Sequence, residues 1–183
     1  ASQLAYFALM MKGREKCRRL FKKTVSPNIL HLEKIEFDET TKADLAKILE
    51  KENELSQVLP FLDNYKEADN FGSLISPKIK VTDSLEDRLS LLIETSDLLT
   101  TSQLRLLQKF ILQEKYLSKH YHILIANPPY MGRSNMNPIL SAYVQKQYPD
   151  YKDDLFSAFI NRSCNLAMEN AYLGFMSPFV WMF

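Results

Sequence analysis

Asn127-Pro128-Pro129-Tyr130 carries the chemistry most readily read from this chain. A side-chain amide, two prolines and an aromatic ring suit the task of gripping a flat substrate by a planar amino group. The amide oxygen of Asn127 and the carbonyl of Pro128 can each accept a hydrogen bond from an NH2 group. Each proline fixes φ and removes a competing N–H donor, and the residue before a proline is held extended. Tyr130 offers a face for stacking. The same four residues also read as turn punctuation, since Asn-Pro and Pro-Pro commonly mark loops.

Context separates the two readings. The apolar run His122-Ile123-Leu124-Ile125-Ala126 precedes the motif, so Asn127 falls where a strand ends and a loop begins. Downstream, Asp154 to Met168 has the apolar spacing of an amphipathic helix, with Leu155, Phe156, Phe159, Ile160 and Leu166 on its inner face. Tyr172 to Met176 reads as the next strand, broken by Pro178. Between the motif and that helix, Met131 to Tyr151 is loop-rich, with one short helix over 140–146.

Further upstream, residues 3–22 are expected to form a helix, apolar from Leu4 to Met10 and basic towards its end. Those cations complement a helix C-terminus, and they also form a candidate contact for DNA phosphate. Asn28 to Glu33 is a short strand candidate. Thr41-Lys42-Ala43-Asp44 resembles a capping box, opening a helix with Leu45, Ile48, Leu49, Leu55, Val58 and Leu59 inward and ending at Pro60. A loop is expected from Asp63 to Pro77, then helices from Ser84 and over 101–119, read as an insertion in a crossover between two parallel strands. Strands alternating with helices give an α/β class with a parallel sheet.

The motif is the hallmark of amino-methyltransferases that use S-adenosylmethionine. NPPYMGR, KDDLFSAFINR and AYLGFMSPFVWMF together resemble the adenine-specific DNA methyltransferases of bacterial phage-defence systems. The BREX (phage-growth-limitation) methylases are the principal likeness, and fused restriction–modification methylases are wider relatives. The opening SQLAYFALMMKGREKCRRLF and ADNFGSLISP also look like that family. The resemblance implies a Rossmann-like methyltransferase domain with a helical insertion. Its expected parts are 1–79, an insertion at 80–119, and 120–183 bearing the motif strand, the following helix and the next strand.

It further implies transfer of methyl from S-adenosylmethionine to the amino group of an adenine flipped out of double-stranded DNA. Asn127, Pro128, Pro129 and Tyr130 are then the catalytic set. Phe159 corresponds to the aromatic that packs on the cofactor adenine, and Glu33 stands where the family often places a polar cofactor contact. Core packing and an ordinary solvated glutamate remain the plain alternatives. Arg133 and Ser134, just past the motif, are candidate DNA contacts, against the ordinary reading of a loop arginine. Other subunits of a defence system are candidate partners. Enzymes that methylate a release-factor glutamine, and RNA adenine methyltransferases, share the tetrapeptide. A non-catalytic, DNA- or partner-binding methylase-like domain is the alternative of another class.

Composition narrows the rest. The chain has 183 residues, 46% hydrophobic and 25% charged, with net charge +1, which argues against indiscriminate nucleic-acid binding. No apolar run is long enough for a membrane helix, and no secretory signal opens the sequence. Cys17 and Cys164 form neither a disulfide framework nor a zinc set, and both fall in helical patterns as candidate buried thiols. A reducing cytoplasm is the expected compartment. His31, His120 and His122 share no metal-ligand spacing, so no metal is assigned. None of the four glycines is spaced as G-x-G, the turn that lets a backbone approach a nucleotide-type cofactor. The chain lacks an initial Met and ends on Phe179-Val180-Trp181-Met182-Phe183. It is therefore expected to be an internal piece of a catalytic domain, inactive alone, with the glycine-rich turn upstream, and prone to self-associate.

Overall fold

The computed structural model describes residues 2–23 and 25–178. The chain divides into two compact units, Ala1–Glu33 and Lys34–Phe183. In the first, α1 spans Ser2–Lys16 and a 3-10 turn covers Leu20–Lys22. The expected helix thus stops six residues early, and the guanidinium of Arg14 sits over the Phe21 ring at 5.2 Å. Leu4, Phe7 and Leu9 of α1 are exposed. The strand expected at 28–33 does not form; residues 25–38 have no regular secondary structure. A strand needs a neighbour for its N–H and C=O groups, and the described sheet contains only two strands, both much later in the chain. With that strand goes the observed basis for placing the helical block inside a crossover.

The second unit opens on Ile35 and Phe37, both buried, and the Ile35 N–H donates to the Tyr65 carbonyl at 3.0 Å. Helix α2, Glu39–Ile48, starts before the expected box. Asp38 is its N-cap, accepting from the Thr41 N–H at 2.7 Å, so Thr41 lies inside the first turn. The single helix expected up to Pro60 is broken into α2, the short α3 at Asn53–Ser56, and a 3-10 stretch at Leu59–Tyr65. Pro60 stands in the first turn of that stretch, where its missing N–H costs nothing. The expected loop 63–77 is partly helical too, with α4 at Ala68–Phe71 and a 3-10 turn at Gly72–Leu74.

A helical hairpin comes next, α5 at Asp83–Thr95 and α6 at Leu98–Ser118. Thr82 caps the first and Asp97 the second, each accepting a backbone N–H three residues on. Leu85, Leu89, Leu104, Leu107 and Phe110 are buried, and Phe110 meets Tyr65 edge-to-face at 5.2 Å between centroids. Apolar positions three and four apart form one inward stripe, as the sequence periodicity requires. Glu114 of α6 is fully buried. It accepts from the backbone N–H of Lys78 at 2.8 Å, of Ile79 at 3.0 Å and from the Asn64 amide at 3.0 Å, which satisfies a carboxylate that burial alone would penalise.

The remaining elements carry the site. Strand β1 is Tyr121–Ala126, helix α7 is Pro138–Gln147, helix α8 is Leu155–Leu166 and strand β2 is Ala167–Phe175. The two strands pair in parallel, Ile123 with Tyr172 through Ala126 with Phe175, and the Met176 N–H donates to the Ala126 carbonyl at 3.1 Å. The regular ladder, Tyr172 to Phe175, covers all but the last residue of the expected strand 172–176. The assigned strand begins earlier, at Ala167 opposite Tyr121, because a bulge leaves five β2 steps against two of β1. Asn170, at φ 61°, turns the chain there, a left-handed position that asparagine tolerates. The assembly is a mixed helix–strand fold with a small parallel sheet.

Candidate functional site

Asn127 leaves the carboxyl end of β1, the end of a parallel sheet at which α/β proteins collect their ligands. Asn127 is exposed, Pro128 is buried and Pro129 is exposed. One proline thus anchors the loop while the amide faces outward. The Tyr130 ring is 56% exposed, open for stacking rather than consumed by packing.

The loop beyond the tetrapeptide is tied down. The Leu155 N–H donates to the Met131 carbonyl at 2.9 Å, and the Arg133 N–H to the Asp153 carbonyl at 2.8 Å. Gly132 and Asp154 form an antiparallel bridge. These bonds stitch the loop after β1 to the start of α8. A cleft of about 210 Å³ lies between them, lined by Tyr130, Met131, Gly132, Asp154, Phe156 and Pro178.

Behind the cleft, Leu74, Met136, Leu140, Val144, Tyr148, Leu155 and Ala158 form a buried cluster, with Phe71, Met131, Tyr143 and Phe159 packed against it. Phe71 and Tyr143 stack at 3.9 Å. The hydroxyls of Tyr148 and Tyr143 both donate to the Leu74 carbonyl, at 2.7 and 3.2 Å. Burial pushes the Tyr143 phenol up to about 12 and raises Tyr148 in the same direction. Arg162 of α8 is buried, donating to the carbonyls of Ser73 at 3.1 Å and Leu117 at 2.8 Å. Desolvation lowers its pKa. A guanidinium bonded to two backbone carbonyls ties α8 to the chain before α5 and to the end of α6.

The structure brings the sequence candidates together only in part. Of Asn127, Pro128, Pro129 and Tyr130, Tyr130 lines the cleft, and the other three precede it in the chain at the end of β1. Phe159 is half-buried on the cluster and does not line the cleft; the α8 aromatic that does is Phe156, 6% exposed. The helical period puts both rings on one apolar face. Which of them meets the cleft depends on the Gly132–Asp154 bridge, for which local sequence carries no signal. Arg133 is exposed and donates to the Gln145 side chain at 3.3 Å. Ser134, beside it in a 3-10 turn, is exposed. Glu33 is the last residue of the first unit, in its irregular stretch. The thiol expectation is half corrected: Cys17 is partly buried, but Cys164 is exposed, since it falls on the solvent side of α8. Among the described residues no cluster of metal-ligating side chains occurs, and no helix is long and apolar enough to cross a membrane.

Residues 1–183 match the family model of the Eco57I restriction-modification methylase. The adenine-specific methyltransferase PglX of Lacticaseibacillus casei (strain Zhang) is 34% identical over 193 residues, covering 100% of this chain and 16% of PglX. The adenine-specific methyltransferase BrxX of Escherichia coli O9:H4 (strain HS) is 28% identical over 212 residues, 100% of this chain and 17% of BrxX. The type II restriction enzyme and methyltransferase RM.Eco57I of Escherichia coli is 35% identical over 63 residues, 32% of this chain. The chain spans about a sixth of the length of the first two relatives. A motif at a parallel strand end, and a family match that runs from the first residue to the last, lead to one assignment: the chain belongs to the Eco57I restriction-modification methylase family.

Proposed function

We propose that this chain is the acceptor-binding part of a DNA adenine N6-methyltransferase of a phage-defence or restriction–modification system, working in the cytoplasm within a Rossmann-like domain. The observation that carries the reading is the position of Asn127-Pro128-Pro129-Tyr130. The tetrapeptide leaves the carboxyl end of a parallel strand, with Asn127 and Tyr130 exposed and Tyr130 lining a cleft.

The lone pair of adenine's exocyclic nitrogen is delocalised into the ring, so the nitrogen is a weak nucleophile. Acceptors at Asn127 and Pro128 hold its two N–H groups and turn the lone pair out of the ring plane. Those hydrogen bonds strengthen as the nitrogen gains positive charge, so they favour the transition state over the bound substrate. Pro128 and Pro129 fix the acceptors before the substrate arrives, which spares reorganisation during reaction. Tyr130 stacks on the base. A duplex hides that amino group, so the adenine must be flipped out, and Arg133 and Ser134 are placed in this reading against the neighbouring phosphates.

S-adenosylmethionine supplies an electrophilic methyl group when bound. Phe159 fits part of it, because a half-buried ring keeps an accessible portion for a stacked adenine. The test compares acceptors. Labelled methyl from S-adenosylmethionine is offered with duplex DNA, RNA or a release factor to the protein expressed at the length of its relatives. Label in DNA adenine is the expected result, and label in RNA or the release factor alone contradicts it.

A further inference from the structure

Charge is unevenly spread along this chain. The unit Ala1–Glu33 holds seven Lys and Arg against two Glu, a net of +5, whereas residues 34–183 hold sixteen cations against twenty carboxylates, a net of −4. All seven cations of the first unit fall within 12–23. The dipole of α1 accounts for Arg14 and Lys16, which stand in its last turn. It does not account for Arg18, Arg19, Lys22 and Lys23, which lie beyond the helix.

The local fold keeps those four at the helix end. The Cys17 N–H donates to the Gly13 carbonyl at 2.9 Å, and the Leu20 N–H to the Cys17 carbonyl at 2.9 Å. The N–H groups of Lys22 and Lys23 then donate to the carbonyls of Arg19 and Leu20, each at 3.0 Å. Leu20 packs back on Gly13, where a Cβ would come within 2.7 Å of its Cδ2. The Arg14 guanidinium lies over the Phe21 ring. The basic run is a folded turn rather than an extended tail.

Its cations also lack the carboxylate partners found in the second unit, where Lys34 pairs with Glu36 at 3.1 Å, Lys42 with Asp63 at 2.9 Å and Arg88 with Glu52 at 2.5 Å. In the first unit Lys12 pairs with Glu15. Lys16, Arg18, Arg19, Lys22 and Lys23 are exposed, and among the described residues no carboxylate lies within salt-bridge distance of them. Uncompensated cations set this close repel one another, and a row of anions laid against them relieves that repulsion. The apolar residues of α1 argue against a lipid surface as the source of those anions. Leu4, Tyr6, Phe7 and Leu9 are exposed, yet the helical period spreads them around the axis, and they precede the cations along it. An interfacial helix needs one apolar face with its cations on the other. A linear polyphosphate needs only the cations.

We propose that the turn at 18–23, with Lys16, is a sequence-independent contact for the phosphate backbone of duplex DNA. The choice of polyanion rests on the reading of this protein as a DNA methyltransferase. Such a contact adds affinity and speeds encounter, and leaves the choice of base to other residues.

The salt dependence of DNA affinity tests it, in the protein at the length of its relatives. Two labelled duplexes of unrelated sequence are titrated by fluorescence anisotropy from about 0.05 to 0.3 M salt; each phosphate contact contributes about 0.9 to the slope of log affinity against log salt. Arg18→Gln, Arg19→Gln, Lys22→Gln and Lys23→Gln together should flatten that slope by about 2–3.5. Binding at about 0.1 M salt should weaken by about 10²-fold or more, on both duplexes alike. Arg18→Lys with Arg19→Lys, which keeps the charge, should leave the slope within about one of the original; a merely structural role would respond to both sets. An unchanged slope in the quadruple Gln variant overturns the proposal, and so does a loss confined to one duplex. A slope shallower than about two in the unsubstituted protein overturns it with no variant required to fold. Loss of binding to phosphatidylserine vesicles in the Gln variant, with its DNA slope unchanged, would make this a membrane contact instead. If label enters DNA adenine while the Gln variant keeps its slope, the inference fails and the proposed function stands. If label enters RNA alone while these cations still set the duplex slope, the inference stands and the proposed function fails.

Discussion

Tyr130 separates packing from function at the scale of single residues. Its ring is 56% exposed, so truncation costs little core packing, whereas a stacked base would lose an aromatic face. Tyr130→Ala is expected to weaken base binding by roughly 1–3 kcal/mol and shift thermal stability only slightly. Tyr130→Phe should bind nearly as the unsubstituted protein does. Titration with a base analogue and a melting curve on the same samples check both statements. The tetrapeptide was legible in the sequence because its residue types are themselves the chemistry. The cleft was not: Phe156 and Phe159 obey the same helical period, and only the hydrogen bonds joining 131–133 to 153–155 decide that Phe156 meets it.

At the scale of elements, capping and buried phenols govern stability. Asn137 caps α7 through the Leu140 N–H at 2.8 Å and exchanges side-chain bonds with Asn70. Asn137→Ala should cost about 1 kcal/mol, read as a fall of about 2–4 °C in Tm for a chain of this size. The tyrosines set an alkaline limit. Burial raises Tyr143 to about 12 and raises Tyr65 and Tyr148 as well, with the charge of Glu114 adding to burial at Tyr65. The unfolded phenols ionise near pH 10 while the folded ones keep their protons. Stability is therefore full below about pH 10 and falls as pH rises towards 12. Urea midpoints across that range should decline, and less so in Tyr143→Phe; a flat profile would contradict the burial of these phenols.

Strand β1 and helices α5 to α8 arise from periodicity that packing reinforces. The boundaries that escaped sequence reading are those set by partners distant in sequence. Residues 28–33 have strand-like composition but no strand beside them. The early start of β2 depends on a bulge at Asn170. The start of α2 moved because Asp38, rather than Thr41, found the free N–H.

For the molecule as a whole, the sheet stands out. Parallel strands are ordinarily covered on both faces, yet Ile123, Ile125, Tyr172 and Met176 are 64%, 81%, 77% and 66% exposed. Apolar strands with open edges pair with other chains. The 183-residue chain alone is expected to self-associate at micromolar concentration, and Ile125→Lys to shift it towards monomer. Light scattering decides; a monodisperse monomer of the unsubstituted chain would refute this. Calorimetry on the same sample should show S-adenosylmethionine binding weaker than micromolar, since no two glycines of this sequence provide the G-x-G turn. Micromolar binding would mean that the cofactor's contacts lie within these residues.

Asn127 is proposed to hold the amino group that receives the methyl. The most direct measurement is the rate of N6-methyladenine formation in duplex DNA, followed by mass spectrometry, for the protein at the length of its relatives with and without Asn127→Ala. Loss of one preorganised acceptor should slow transfer by about 10²–10³-fold with an unchanged melting temperature. Near-normal transfer by a folded Asn127→Ala protein would contradict the account.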